Sequence, residues 1–124
     1  MVRKKIMVVD DEESLLILVS NLLETHGFDV ITAKNGEECL SALKTEKPDL
    51  ILLDIMMPGM TGIETAEAIR SDPKTRKIKI VFLTVIESRE IKSEKFRKIN
   101  AVDYITKPFD NKYLVAKIGE ILDM

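Results

Sequence analysis

Leu50-Ile51-Leu52-Leu53-Asp54 is an unbroken apolar run that stops on a carboxylate. It is too short for a helix and does not alternate, which is the pattern of a strand covered on both faces. Ile80-Val81-Phe82-Leu83 is a second such run and stops at Thr84. Ile6-Met7-Val8-Val9 stops at Asp10-Asp11, and Ala101-Val102-Asp103-Tyr104-Ile105-Thr106 stops at Lys107-Pro108. Parallel strands release their last residues at one edge of the sheet, where open α/β sheets hold ligands. Asp10, Asp11, Asp54 and Lys107 are thereby expected to meet. Crowded acids repel and call for a cation. A hard, oxygen-bound cation beside a lysine is a site for phosphoryl chemistry.

Working outward, strands are expected near 5–9, 28–33, 49–54, 79–84 and 101–105, and helices near 13–26, 36–46, 62–71, 88–98 and 110–122. Five βα units in a row predict an α/β fold: a doubly wound (βα)5 domain with a parallel five-stranded sheet and right-handed crossovers. Gly27 is placed as a C′ glycine, Asn35-Gly36 opens the second helix, and Lys47-Pro48 closes it. In the first helix, Leu15, Leu18, Val19 and Leu22 have core spacing. Leu16 and Ile17 fall outside that stripe, as an extension of it or as a small docking surface beside the acids.

The 124 residues suffice for one domain spanning 1–124, with no effector domain expected. The chain is 45% hydrophobic and 32% charged with a formal charge of −2. That composition is globular and offers no overall basic character for nucleic acid or membrane. No apolar run approaches the roughly 20 residues of a membrane span, and the cytoplasm is the default compartment. Cys39 is the only cysteine, so an internal disulfide is impossible, and its helix position suits packing. His26, the only histidine, sits at a helix end rather than in a site.

Each acid has an ordinary explanation when taken singly. Asp10 and Asp11, with Glu12 and Glu13, complement a helix dipole, and Asp54 caps a loop. Capping gives no reason for Asp54 to face the other two across a sheet. Thr84 lies one βαβ unit after Asp54, with a hydroxyl able to donate to an anion. Proline after Lys107 fixes where the lysine points, in either a trans or a cis turn. No phosphate-binding G-x-x-x-x-G-K-[ST] or dinucleotide G-x-G-x-x-G is present. Asp54 is not followed two residues on by the second acid that hydrolytic aspartyl-phosphate enzymes use.

Val8-Val9-Asp10-Asp11-Glu12, Leu53-Asp54-Ile55-Met56-Met57-Pro58-Gly59-Met60, Leu83-Thr84 and Tyr104-Ile105-Thr106-Lys107-Pro108-Phe109 stand in an order and spacing that resembles the receiver domain of two-component response regulators, over essentially the whole chain. The resemblance implies a flavodoxin-like strand order, 2-1-3-4-5. It implies that Asp54 accepts a phosphoryl group from a phosphohistidine. It places Mg²⁺, with Mn²⁺ or Ca²⁺ as substitutes, on Asp10, Asp11, Asp54 and the Met56 carbonyl. Lys107 and Thr84 would hold the phosphoryl oxygens, and Thr84 with Tyr104 would form the switch. The implied partners are a histidine kinase or phosphotransfer protein, docked near Leu16, Ile17, Pro108 and Phe109, and a downstream protein. The latter would read the fourth helix, fifth strand and fifth helix. Neither direct nucleic-acid binding nor membrane attachment is implied. The resting form is expected to be a monomer, with dimerisation on activation left open.

The chain departs from the family at Val85, where a small residue usually follows the threonine. Met56 and Ile86 are expected to flank the path of an attacking water. The alternatives are a receiver-like binding module that is never phosphorylated and a small metal-dependent phosphatase. Intact acids, Thr84 and Lys107 favour the switch.

Overall fold

The structure, a computed structural model, describes residues 3–85 and 94–123. Ten elements follow in order: β1 (Lys5–Val9), α1 (Glu13–Thr25), β2 (Asp29–Ala33), α2 (Gly36–Ala42), β3 (Leu50–Asp54), α3 (Gly62–Ser71), β4 (Lys79–Thr84), α4 (Glu94–Ile99), β5 (Asp103–Thr106) and α5 (Asn111–Asp123). All pairings are parallel and the order is β2-β1-β3-β4-β5, so β3 is central. This is the doubly wound parallel fold expected from the runs, with the flavodoxin-like strand order that the family resemblance implies.

Alternation along the strands sorts the core into two layers. Ile6, Val8, Leu50, Leu52, Val81, Leu83 and Ile105 pack against α1 and α5 through Leu16, Val19, Leu23, Leu114 and Ile118. Met7, Val9, Ile51, Leu53, Ile80 and Phe82 pack on the other face against Cys39, Ala66, Ile69 and Ile99. Every residue of β3 is buried, as an unbroken apolar run requires.

Local chemistry sets most boundaries. Gly27 adopts φ +92° after the His26 cap of α1. The Asn35 side chain accepts from the Glu38 N–H to start α2, and Thr61 with Glu64 forms a reciprocal capping box on α3. Two elements depart from expectation. The helical section of α2 stops at Ala42, not near 46; its end tightens through Lys44 N–H to Ser41 and Thr45 N–H to Ala42, ahead of Pro48. The fifth strand starts at Asp103, two residues late, because Asn100 takes φ 52° and only Val102 N–H, bonded to Ile80, leads into the ladder. Of the expected helix 88–98, residues 88–93 lie outside the described set.

α1 is rotated from the expected phase. Leu16, Val19 and Leu23 are its buried row, while Leu18 is 49% and Ile17 58% exposed. The placement of Leu16 on a docking surface is therefore corrected: its side chain is in the core. The row Leu16-Val19-Leu23 has the same helical spacing as the one expected, and the five consecutive apolar residues Leu15 to Val19 let either phase fit.

Gly62, first in α3, donates to Ile55 C=O at 2.9 Å. A Cβ there would overlap the Asp54 carbonyl oxygen. Gly119, inside α5, faces open space. Gly62→Ala is expected to lower the urea midpoint sharply, while Gly119→Ala raises stability by about 0.5–1 kcal/mol through helix propensity; equal effects of the two would remove the close approach as their cause.

Candidate functional site

The register builds the site. Val9 pairs with Leu53, so Asp10, one residue further, stands level with Asp54. Asp54 pairs with Leu83, and Thr84 pairs with Thr106, one residue before Lys107. Asp10 continues the Ile6-Val8 row, Asp54 the Leu50-Leu52 row, and Lys107 the row of Ile105, all on the α1/α5 face. Thr84 continues the Ile80-Phe82 row on the opposite face, and Tyr104 is paired with Phe82. The backbone extends this order past the strands: Asp10 N–H donates to Ala33 C=O, Ile55 N–H to Leu83 C=O, and Lys107 N–H to Thr84 C=O.

Asp10 is fully buried and Asp54 is 2% exposed, whereas Asp11 lies at the surface. One oxygen from each of the three carboxylates falls within a mutual separation of 4.8 Å. Lys107 Nζ lies 2.6 Å from Asp10 Oδ2 and 3.5 Å from Asp54 Oδ1. The Glu12 N–H donates to Asp10 Oδ1 at 2.9 Å and the Met56 N–H to Asp54 Oδ1 at 3.3 Å. The Lys107-Pro108 peptide is cis.

Burial first, and then the Asp10 charge, push the Asp54 carboxyl up to about 6, against the opposing pull of Lys107 and the Met56 N–H. Burial pulls the Lys107 ammonium down, but its bond to Asp10 and the charges of Asp54, Asp10 and Glu12 outweigh this and hold it above its ordinary value. Three carboxylates and one ammonium leave two formal negative charges, which one divalent cation neutralises. The oxygen-only donor set suits a hard ion.

The other expected residues are placed as follows. Thr84 is buried and Tyr104 is 40% exposed. Pro108 is exposed and Phe109 packs partly against the α1/α5 core. Leu15, Leu18, Val85, Pro108, Phe109, Glu12, Lys107 and Asn111 surround a hollow of about 370 Å³ beside the acids. Leu18 belongs to this hollow and was missed because it was assigned to the core; the spacing of Leu15 and Leu18 on one helix edge was the available signal. Ile86 lies outside the described residues, as do residues 87–93 of the charged segment.

Comparison with known proteins agrees with this geometry. Residues 6–119 match the family model of the response regulator receiver domain. The chain belongs to that family. It is 44% identical to the alkaline phosphatase synthesis transcriptional regulatory protein PhoP of Bacillus subtilis over 96% of its own length and 48% of PhoP. It is 32% identical to protein PilH of Pseudomonas aeruginosa, covering 95% of this chain and 97% of PilH. Among solved structures, the chemotaxis protein CheY4 of Vibrio cholerae superposes with a TM-score of 0.89 at 31% identity, covering 97% of this chain and 99% of that one. The chain spans about half the length of PhoP and of the PhoB relatives it matches. Receiver domains are phosphorylation-activated signalling switches that generally bind Mg²⁺ at an acidic pocket, and among the described residues this chain has one acidic cluster of that kind. No helix among the described residues is long and apolar enough to cross a membrane.

A carboxyl whose folded pKa is raised binds its proton more tightly folded than unfolded. Its contribution is complete below the unfolded value near 3.8 and is lost as pH rises to about 6. In EDTA, the parent is therefore expected to lose about 2–3 kcal/mol of stability between those limits, and Asp54→Asn to lose markedly less and to melt higher at neutral pH. Parallel pH–stability curves for the two proteins, from urea unfolding, would exclude Asp54 as the source.

Proposed function

We propose that this chain is a Mg²⁺-dependent switch that takes a phosphoryl group onto Asp54 from the phosphohistidine of a kinase or phosphotransfer protein. The observation that carries the reading is the buried Asp54 carboxylate, within reach of two further acids and 3.5 Å from the Lys107 ammonium. An Asp54 oxygen attacks phosphorus, an O–P bond forms, the N–P bond of the donor breaks, and the imidazole leaves with its electron pair. A divalent ion held by Asp10, Asp11, Asp54 and the Met56 carbonyl supplies neutralising charge for the phosphoryl oxygens when bound. Lys107, tied to Asp10, offers its remaining N–H groups to those oxygens. Thr84, on the far side of the strand end, donates its hydroxyl to them, and Tyr104 on the same sheet face follows that movement. Charge at the site thus biases a two-state surface at α4, β5 and α5, which a downstream protein reads.

The hollow formed by Leu15, Leu18, Val85, Pro108 and Phe109 adjoins Lys107 and is where the donor's helices dock, with Ile17, exposed on the same helix as Leu15 and Leu18, as a further contact. Val85, 54% exposed, narrows the approach for small phosphodonors. Met56, 63% exposed, flanks the path of an attacking water and prolongs the acyl phosphate. The chain acts only on its own aspartate and works in the cytoplasm as a monomer in the resting state, with dimerisation reserved for the activated form.

Incubation with acetyl phosphate and Mg²⁺ is expected to add one phosphoryl mass to the parent and none to Asp54→Asn; if the parent stays unmodified with acetyl phosphate and with a phosphohistidine donor alike, the switch reading fails. Met56→Asn is expected to lose the phosphoryl group several-fold faster, as a polar side chain helps seat water, and unchanged decay of the adduct would discard the shielding role. Beryllofluoride with Mg²⁺ is expected to shift the Tyr104 ring resonances, an effect absent in Thr84→Ala if Thr84 relays the signal.

A further inference from the structure

The opposite end of the sheet carries the reverse charge. Lys4, Lys74, Lys77 and Lys79, with Pro48, Asp49, Ile78 and Leu122, line a hollow of about 380 Å³. It lies where β1, β3 and β4 begin, a five-residue strand or roughly 17 Å from the acids. Two other cations of this pole are already paired: Arg3 with Asp29 at 3.0 Å and Lys5 with Glu46 at 3.1 Å. Among the described residues, the ammonium groups of Lys4, Lys74 and Lys77 have no ion-pair partner, and Lys79 Nζ reaches only the Ile121 carbonyl, at 3.4 Å. Asp49 is the one acid in the lining, and its Oδ2 accepts the Lys5 backbone N–H at 2.8 Å. Two separate segments, residue 4 and residues 74–79, thus hold four ammonium groups around one concavity, against the single engaged carboxylate of Asp49.

Like charges in such a cluster repel and favour an anion of several charges over monovalent ions. The volume fits a short chain of phosphates. Lysines on flexible stems read such a chain as point charges, without the planar fork that selects single carboxylates. We propose that this hollow is a binding site for a linear phosphate chain, either inorganic polyphosphate or the polyphosphate group of a nucleotide. Occupancy is independent of Asp54, because the two sites lie at opposite ends of the strands.

Calorimetric titration in EDTA at an ionic strength of about 0.15 M, where loose surface attraction is largely screened, tests this. Sodium tripolyphosphate is expected to bind one to one, equally to the parent and to Asp54→Asn. The double variant Lys74→Gln, Lys77→Gln should bind about tenfold more weakly, since half of the four ammonium groups are removed. Lys34→Gln, Lys112→Gln removes the same charge from exposed positions outside the hollow and should bind as the parent does. Equal affinity for ATP and tripolyphosphate assigns recognition to the phosphate chain alone, and tighter ATP binding assigns the nucleotide as the source; both support the site. Matching thermal midpoints of the two double variants keep a loss of binding from being a loss of fold. Undiminished binding in the first double variant, equal weakening in both, sulfate binding as tightly as tripolyphosphate, or preference for a short DNA duplex would overturn the proposal.

Discussion

Two buried carboxylates, Asp10 and Asp54, share one ammonium. That imbalance is the constraint to which the rest of the domain answers. A displacement of the Asp54 carboxyl from 3.8 to about 6 corresponds to about 3 kcal/mol, a sizeable part of what a domain of this size has in reserve. The surrounding fold supplies the opposing stability. The fully buried β3 and the apolar layers on both of its faces hold Asp54 in place although its ionised form is disfavoured there. A site under this tension gains strongly from a divalent cation and from partners for its oxygens, which makes it responsive to small changes in charge.

The same sheet explains why the response is directional. Side chains of successive strand residues alternate between faces. Asp10, Asp54 and Lys107 continue rows on the α1/α5 face, while Thr84 and Tyr104 belong to the rows facing α3 and α4. The phosphoryl chemistry proposed here therefore starts on one face, and Thr84 is the residue positioned to carry its effect to the other. The shared ladder bond from Lys107 N–H to the Thr84 carbonyl, at 2.7 Å, couples the two strand ends directly.

Much of this was legible in the chain because it depends on period and punctuation. The unbroken runs at Leu50–Leu53 and Ile80–Leu83 could be buried strands only in a parallel sheet, and the residues that end them, Asp54 and Thr84, then had one place to go. Gly27 and Asn35 announced the helix limits they set. What was not legible depends on rotation and proximity. Five consecutive apolar residues in α1, Leu15 to Val19, permit two phases about 100° apart, and the spacing alone could not tell that Leu16 faces inward and Leu18 outward. Nothing in the spacing of Gly62 announces that its missing Cβ lets α3 rest on the backbone of Asp54. The charge of −2 hid a separation of acids and lysines to opposite ends of the strands, since a sum over the chain has no direction.

Rotation of α1 also changes what the front of the site presents. With Leu16 inward, the outward edge carries Leu15 and Leu18, and Val85 meets them across the hollow beside Lys107. A small residue after Thr84 would leave that wall lower. In the proposed switch Val85 would then be both an obstruction and a contact: it would crowd a small phosphodonor, which gains nothing from apolar surface, yet add buried area for a protein donor that covers the hollow. The two effects would act on different donors, so under that proposal the departure from the family pattern favours selection between them over a uniform loss of rate.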